Sequence, residues 1–236
     1  MQPGLWKSGR RQRREQLKVV AVIPVKKMAN IKSRLSPTLS SEERRQLSLH
    51  MLADVVEAAE GTPTIQKVLV VSPDEKILKF SRRLGAAVLK ERAEGGVNRA
   101  VSKARKFCSE GGTSAMLILP SDIPLLSSED LERIVNMGIR QPSVVLSPSL
   151  RLDGTNALLL NPPGIIPTFY EHDSFRAHLR EALGKGIKVG VYLSWRIMLD
   201  LDEPQDLGFF LQTAGSTQTH RFLAQRGKSG ISLSLG

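Results

Sequence analysis

Met116-Leu117-Ile118-Leu119-Pro120-Ser121-Asp122-Ile123-Pro124-Leu125 decides the fold. Four apolar residues in a row, ended by a proline, are too few for a helix and predict a strand buried on both faces, as in parallel sheets. Such a strand belongs in the middle of its sheet. Asp122 follows it directly, and in open α/β sheets the carboxyl ends of the strands face the ligand crevice. A carboxylate there suits a hard cation. Ser-Asp before a proline is also ordinary turn chemistry, and on this stretch alone the two readings weigh the same.

Further strands of the same kind lie on either side. Val19-Val20-Ala21-Val22-Ile23 is closed by Pro24, and Val68-Val71, Ala86-Leu89, Val144-Ser147, Ala157-Leu160 and Ile187-Val191 follow. Helical patterns alternate with them. The first opens at Ser40-Ser41-Glu42-Glu43 and places Leu47, Met51, Leu52, Val55 and Val56 on one face. Others start near Asp74, Gly96 and Ser127, and 169–175 leads into one that carries His178 and Arg180. This alternation predicts an α/β, Rossmann-like fold: a mostly parallel sheet with right-handed crossovers and helices on both faces. One domain is expected over 18–212. Residues 1–17 read as a disordered basic leader, and 213–236, rich in Ser, Gly and Thr, as a flexible tail.

The net charge of +11 is concentrated at the ends. Residues 1–18 hold six basic side chains against Glu15, and 213–236 hold three against none, which leaves 25 basic and 22 acidic residues between them. A nucleic-acid groove would carry its charge on the folded part, so no specific nucleic acid is expected. A single cysteine, Cys108, excludes an internal disulfide or a multi-cysteine metal site and fits the cytoplasm. No apolar run approaches the roughly 20 residues of a membrane span, so no membrane partner is expected.

The loop after the first strand, Val25-Lys26-Lys27-Met28-Ala29-Asn30-Ile31-Lys32-Ser33-Arg34-Leu35, carries four cations and no carboxylate. As surface chemistry it is a solvated loop, but its position is where α/β folds cradle phosphates. Gly95-Gly96-Val97-Asn98 puts glycines where a backbone must come close to something, although a plain helix start explains them nearly as well. In Leu199-Asp200-Leu201-Asp202-Glu203-Pro204-Gln205-Asp206 the first two aspartates alternate with leucines and point to one side of an extended chain. Asp206 is expected to face solvent. Asp122 with Asp200 or Asp202 forms an all-oxygen donor set that suits magnesium or manganese rather than zinc. A cap before Pro204 is the plain alternative for Asp200 and Asp202. His50, His172, His178 and His220 are scattered and read as surface or packing residues, and Cys108 as a helix residue.

Five segments together, Ile-Pro-Val-Lys at 23–26, Lys-Ser-Arg-Leu-Ser-Pro at 32–37, Pro-Ser-Asp-Ile-Pro-Leu at 120–125, Asp-Gly-Thr-Asn-Ala-Leu at 153–158 and Leu-Asp-Leu-Asp-Glu-Pro-Gln-Asp-Leu at 199–207, resemble the 2-phospho-L-lactate guanylyltransferases of coenzyme F420 biosynthesis and their phosphoenolpyruvate-using relatives. The likeness runs from about Val19 to Leu211. It implies a nucleotidyltransferase fold of the glycosyltransferase-A type that joins GTP to a phosphorylated three-carbon acid and releases pyrophosphate. It further implies Asp122, Asp200 and Asp202 for Mg2+ (or Mn2+), and Lys26 with Arg34 for the nucleotide phosphates, these two acting with Asp122 in catalysis. Gly96 and Asn98 would lie on the nucleotide, and Thr155, Ser174 and the 171 position on the acid. Relatives often have glycine at that last position, where this chain has Glu171, whose carboxylate would repel an anionic substrate. The sequence leaves open which acid is used, and the oligomeric state, a homodimer included. Two rivals stand beside this reading. One is a sugar-nucleotide enzyme of the same fold, because Asp200-Leu201-Asp202 also matches an Asp-x-Asp metal motif. The other is a module that binds RNA through the basic leader.

Overall fold

The computed structural model describes residues 18–28, 31–92, 95–213 and 215–228, so the basic leader lies outside the described residues. Its centre is a seven-stranded sheet of β1 (Val19–Pro24), β2 (Lys67–Ser72), β3 (Ala87–Lys90), β4 (Ala115–Ile118), β5 (Ser143–Pro148), β6 (Thr155–Asn161) and β7 (Lys188–Val191), in the order β3-β2-β1-β4-β6-β5-β7. The expected central strand, β4, pairs parallel with β1 and is wholly buried. Only β6 runs antiparallel to its neighbours β4 and β5. The chain between β5 and β6 is a six-residue turn around Gly154, and a parallel pairing would need a crossover of a dozen residues or more. This reversal matters for the site. It brings the start of β6, Thr155 and Asn156, to the same edge at which β1, β3 and β4 end.

Alternation along the strands separates two cores. Val19, Ala21 and Ile23 face one, with Val55 and Val56 of α1 (Ser41–Glu60) and Leu131 and Ile134 of α4 (Ser128–Gly138). Val20 and Val22 face the other, with Ala100, Val101 and Ala104 of α3 (Gly96–Glu110) and Ala182 of α5 (Ser174–Gly184). Cys108 is a buried member of this second core. The helix α2 (Glu75–Arg83) begins at Asp74, whose carboxylate caps it. Helices on both faces of a mostly parallel sheet are the architecture the strand and helix alternation predicts.

A third core lies under the cationic loop: Leu35, Leu39, Leu47, Met51, Leu199, Leu201, Leu207, Phe210 and Leu223. Leu199 and Leu201 point into it, which turns Asp200 and Asp202 the other way. The next helix, α7 (Pro204–Leu211), has Pro204 in its first turn and Glu203 as its N-cap, so neither Asp200 nor Asp202 is the cap residue. Asp206, expected at the surface, is 4% exposed. It sits three residues past the cap, where an acidic side chain reaches back to orphan backbone donors, here the N–H groups of Asp202 and Glu203.

The tail also departs from expectation. Residues 218–228 form α8 (Gln218–Lys228), which lies on α1. Asp54 of α1 accepts from the backbone N–H of Gln218 and Thr219 and from the Thr219 hydroxyl, at 2.7, 3.0 and 2.6 Å. Leu223 enters the third core and Phe222 packs against it. Thr213, Gly215, Ser216 and Thr217 lie before the helix, and these three hydrogen bonds anchor the segment that follows them.

Asp130, fully buried in the first turn of α4, gathers the chain beyond β7. Its carboxylate accepts from the hydroxyls of Ser127, Tyr192 and Ser194 and from two nitrogens of Arg196, on α6 (Trp195–Met198). Burial alone would raise its pKa, but these bonds outweigh it and hold it at about 2. Because the folded value lies below the ordinary 3.8, the stabilisation is present above about pH 4 and is lost as pH falls through about 2. That difference corresponds to about 2 kcal/mol. Asp130→Asn should therefore lower stability by about 2 kcal/mol at neutral pH. Urea unfolding should show the gap to the native chain closing between pH 4 and pH 2; a gap constant over that interval would mean that the carboxylate charge is not what holds this joint.

Candidate active site

The acidic half of the site is built by three segments meeting at the carboxyl edge of the sheet. The Asp122 loop follows β4. Alongside it runs the segment 199–203, tied on by the Leu201 N–H, which donates to the Asp122 carbonyl at 3.0 Å. Asn156, at the start of β6, holds the same segment from the other side. Its amide donates to the carbonyls of Ile197 and Met198 at 2.9 and 3.2 Å and to Asp200 Oδ1 at 3.2 Å. The reversal of β6 is what puts an asparagine within this reach.

A lysine then joins the carboxylates. Lys32 Nζ donates to Asp122 Oδ2 at 2.6 Å and also to Asp202 Oδ1, so one ammonium bridges residues 80 apart in sequence. Its backbone is left-handed, φ 53°, which turns the side chain off the loop and under it, and the side chain is only 8% exposed. Burial would lower the Lys32 pKa, but the charges of Asp122 and Asp202 outweigh it and hold it above the ordinary value. Burial works against Asp202 as well, and Lys32 overrides it to keep that carboxyl below the usual range. Among the described residues Asp200 has no cation bonded to it. Burial and the neighbouring Asp122 charge push it up to about 6 against the Asn156 hydrogen bond. Among the described residues Lys32 is the one cation bonded to these carboxylates, with Arg34 and Arg151 acting on Asp202 from farther away.

The other expected residues sit around this cluster. Lys26 is exposed just past the end of β1. Arg34 is exposed and pairs with Glu203 at 3.3 Å, which links the cationic loop to the start of α7. Arg151 pairs with the same Glu203 at 2.9 Å and with Asp206 at 3.4 Å. Gly96 opens α3 at φ +73°, a conformation suited to glycine, with open space where a side chain would project. Asn98 accepts from the Tyr170 backbone N–H at 2.9 Å, so it ties the start of α3 to the loop before α5.

Thr155 and Ser174 are brought together: the Ser174 hydroxyl donates to Thr155 Oγ1 at 3.1 Å, and both are buried. His178 completes the group. Its Nε2 accepts from the Phe169 N–H at 2.8 Å, which leaves the proton on Nδ1 to donate to Thr155 Oγ1 at 3.1 Å. Burial pushes this imidazole down to about 4, so it is neutral at physiological pH. Glu171 is exposed.

Lys32 and Asn156 lie inside sequence motifs that assign neither a task. For Lys32 the available signal was a cation among cations; for Asn156 it was a polar residue heading an apolar strand. His178 was read as a surface or packing residue, and it is buried, but its bond to Thr155 had no signature in the sequence.

Carboxylates on two loops thus meet at the carboxyl edge of a mostly parallel sheet, beside a cationic loop after β1. In fold the chain is similar to a putative nucleotide-diphospho-sugar transferase from Desulfovibrio desulfuricans G20, with TM-score 0.76 and 14% identity over 90% of this chain and 96% of that one. Residues 19–233 match the family model described as Guanylyl transferase CofC like, and the chain belongs to that family. It is 41% identical to the phosphoenolpyruvate guanylyltransferase of Rubrobacter xylanophilus, over 86% of this chain and 97% of the relative. It is 37% identical to the 2-phospho-L-lactate guanylyltransferase of Methanocaldococcus vulcanius, over 89% and 91%.

Proposed function

We propose that this protein transfers the guanylyl group of GTP to the phosphate of a three-carbon acid, phosphoenolpyruvate or 2-phospho-L-lactate, in coenzyme F420 biosynthesis. Family membership and the printed names of the relatives support the reaction class. The observation that carries the site assignment is the Lys32 bridge, because it shows Asp122 and Asp202 converging on one cation.

The reaction joins two anions, so its main obstacle is charge. An oxygen of the acid's phosphate attacks the α-phosphorus of GTP. The new O–P bond forms as the bond to the β-phosphate oxygen breaks, and pyrophosphate leaves with the electron pair. The second pKa of a phosphomonoester is about 6, so the attacking oxygen is largely ionised at neutral pH and no general base is required. The neutral, doubly bonded His178 fits a site without one. Lys26 and Arg34 hold the triphosphate from the loop side, Arg34 by exchanging Glu203 for a phosphate. Thr155 and Ser174 hold the acid, with His178 fixing their hydroxyls, and Asn98 ties this loop to the nucleotide side.

Asp122 and Asp202, with Asp200 behind them, would hold Mg2+ or Mn2+. Among the described residues no group of three His, Cys, Asp or Glu side chains has the spacing to hold a metal alone. Magnesium is commonly bound by one or two carboxylates together with substrate phosphates. When bound, such an ion supplies neutralising charge to the phosphate oxygens. Among the described residues no helix is long and apolar enough to cross a membrane, and a cytoplasmic location belongs to the same proposal.

The test is pyrophosphate release from GTP and Mg2+ with phosphoenolpyruvate, 2-phospho-L-lactate or 3-phosphoglycerate. We expect release with one of the first two. None with any acid, alongside turnover of a sugar phosphate, would establish the sugar-nucleotide rival instead.

A further inference from the structure

Glu91 immediately follows β3 and continues its ladder by one bond, its N–H donating to the Ser72 carbonyl at 3.0 Å. Ala87 and Leu89 pack into the core beneath α3, and the period of two puts Glu91 on the same face. The residue is 6% exposed, and its Oε1 is fully buried with no hydrogen-bond partner. Burial pushes its carboxyl up, with Arg99 and Lys103 opposing from α3. Neither forms a salt bridge with it among the described residues: Lys103 Nζ donates to the Lys90 carbonyl, and the Arg99 side chain lies against Gly95. An acceptor buried without a donor costs about 1–3 kcal/mol, a cost that a binding site recovers when its ligand supplies the donor.

The position suits the far end of a nucleotide. In the strand order β3-β2-β1-β4, the ends of β3 and β4 are three strand spacings apart, about 14 Å. A nucleotide whose α-phosphate lies between the cationic loop and Asp122 can extend its base along the sheet edge to Glu91. Of the two glycines at the start of α3, Gly96 has open space beside it, while the Arg99 side chain lies against Gly95.

We propose that Glu91 selects the base of the donor nucleotide, its carboxylate accepting from guanine N1–H and the 2-amino group. This rests on the GTP-dependent reading above. An ionised carboxylate has acceptors only, and two adjacent N–H groups on one base edge are its complement. Guanine presents that pair, whereas adenine and cytosine present a ring-nitrogen acceptor beside their amino groups. Inosine keeps N1–H and lacks the 2-amino group, so the ratio of kcat/KM for GTP to that for ITP isolates the contact.

The native chain should prefer GTP to ITP by about tenfold or more, and Glu91→Gln should bring that ratio close to one. A bidentate base contact is worth about 1–3 kcal/mol, so kcat/KM for GTP should fall about 5- to 150-fold in the variant, mainly through KM. Glu91→Asp, which keeps the charge but withdraws it by one methylene, should give an intermediate ratio and covers the case in which the amide variant does not fold. A ratio unchanged in the variants, or an equal loss for both nucleotides, would overturn the assignment and leave Glu91 a structural residue. A native chain that turns over neither nucleotide with any of the three acids would overturn the donor reading, and this one with it.

Discussion

Replacing Asp122 by alanine is expected to lower turnover with GTP and the acid about a thousandfold while leaving the fold in place. Metal-assisted charge stabilisation contributes several kcal/mol to a transition state, and each 1.4 kcal/mol is about a factor of ten. The fold should persist because Asp122 fixes its neighbour through the backbone: the Leu201 N–H donates to the Asp122 carbonyl, which the substitution keeps. Lys32 also retains Asp202 as a partner. Circular dichroism and melting temperature close to the native values, with kcat reduced and the GTP KM changed less, are the expected results. Near-normal turnover would remove Asp122 from the site.

The second large effect is on stability. Lys32→Met removes the cation that, among the described residues, bridges Asp122 and Asp202, and it leaves Asp122, Asp200 and Asp202 without it, Asp200 being already pushed up to about 6 by burial and by Asp122. Breaking a fully buried pair costs 3–5 kcal/mol, but Asp202 is 38% exposed and solvent screens part of the loss. A cost of about 2 kcal/mol follows, or a melting temperature about 4–8 °C lower for a chain of this size. Added Mg2+ or Mn2+ should restore more stability to the variant than to the native protein, since the ammonium no longer competes for the same oxygens. Calorimetry with and without the ion checks both statements, and an unchanged melting temperature would mean that the bridge contributes nothing to holding the loops together.

Much of this site was legible in the sequence because it is written in local rules. The run 116–119 announced a central strand, and position at a strand end gave Asp122. Alternation with Leu199 and Leu201 gave a common side to Asp200 and Asp202. The parts that were not legible depend on contacts between distant segments. Lys32 looked like any of four loop cations until its left-handed backbone and the approach of two loops singled it out. Asp130 fits a capping pattern four residues long, yet its burial comes from Tyr192, Ser194 and Arg196, more than 60 positions downstream. Asp206 and α8 were misjudged for a related reason. Asp206 is expected to face solvent and 213–236 to be a flexible tail, while two backbone donors draw the one in and the Asp54 carboxylate holds the start of α8. Glu91 carried no motif at all, and only its buried, unpartnered oxygen singles it out.

The central claim is that Asp122 and Asp202 share one cation-binding point opposite a triphosphate-gripping loop. Titration of Mn2+ in the presence of GTP, followed by electron paramagnetic resonance, tests it without relying on turnover. Binding of one ion per native chain, lost in both Asp122→Asn and Asp202→Asn, is the predicted result, and equal binding by all three proteins would contradict it.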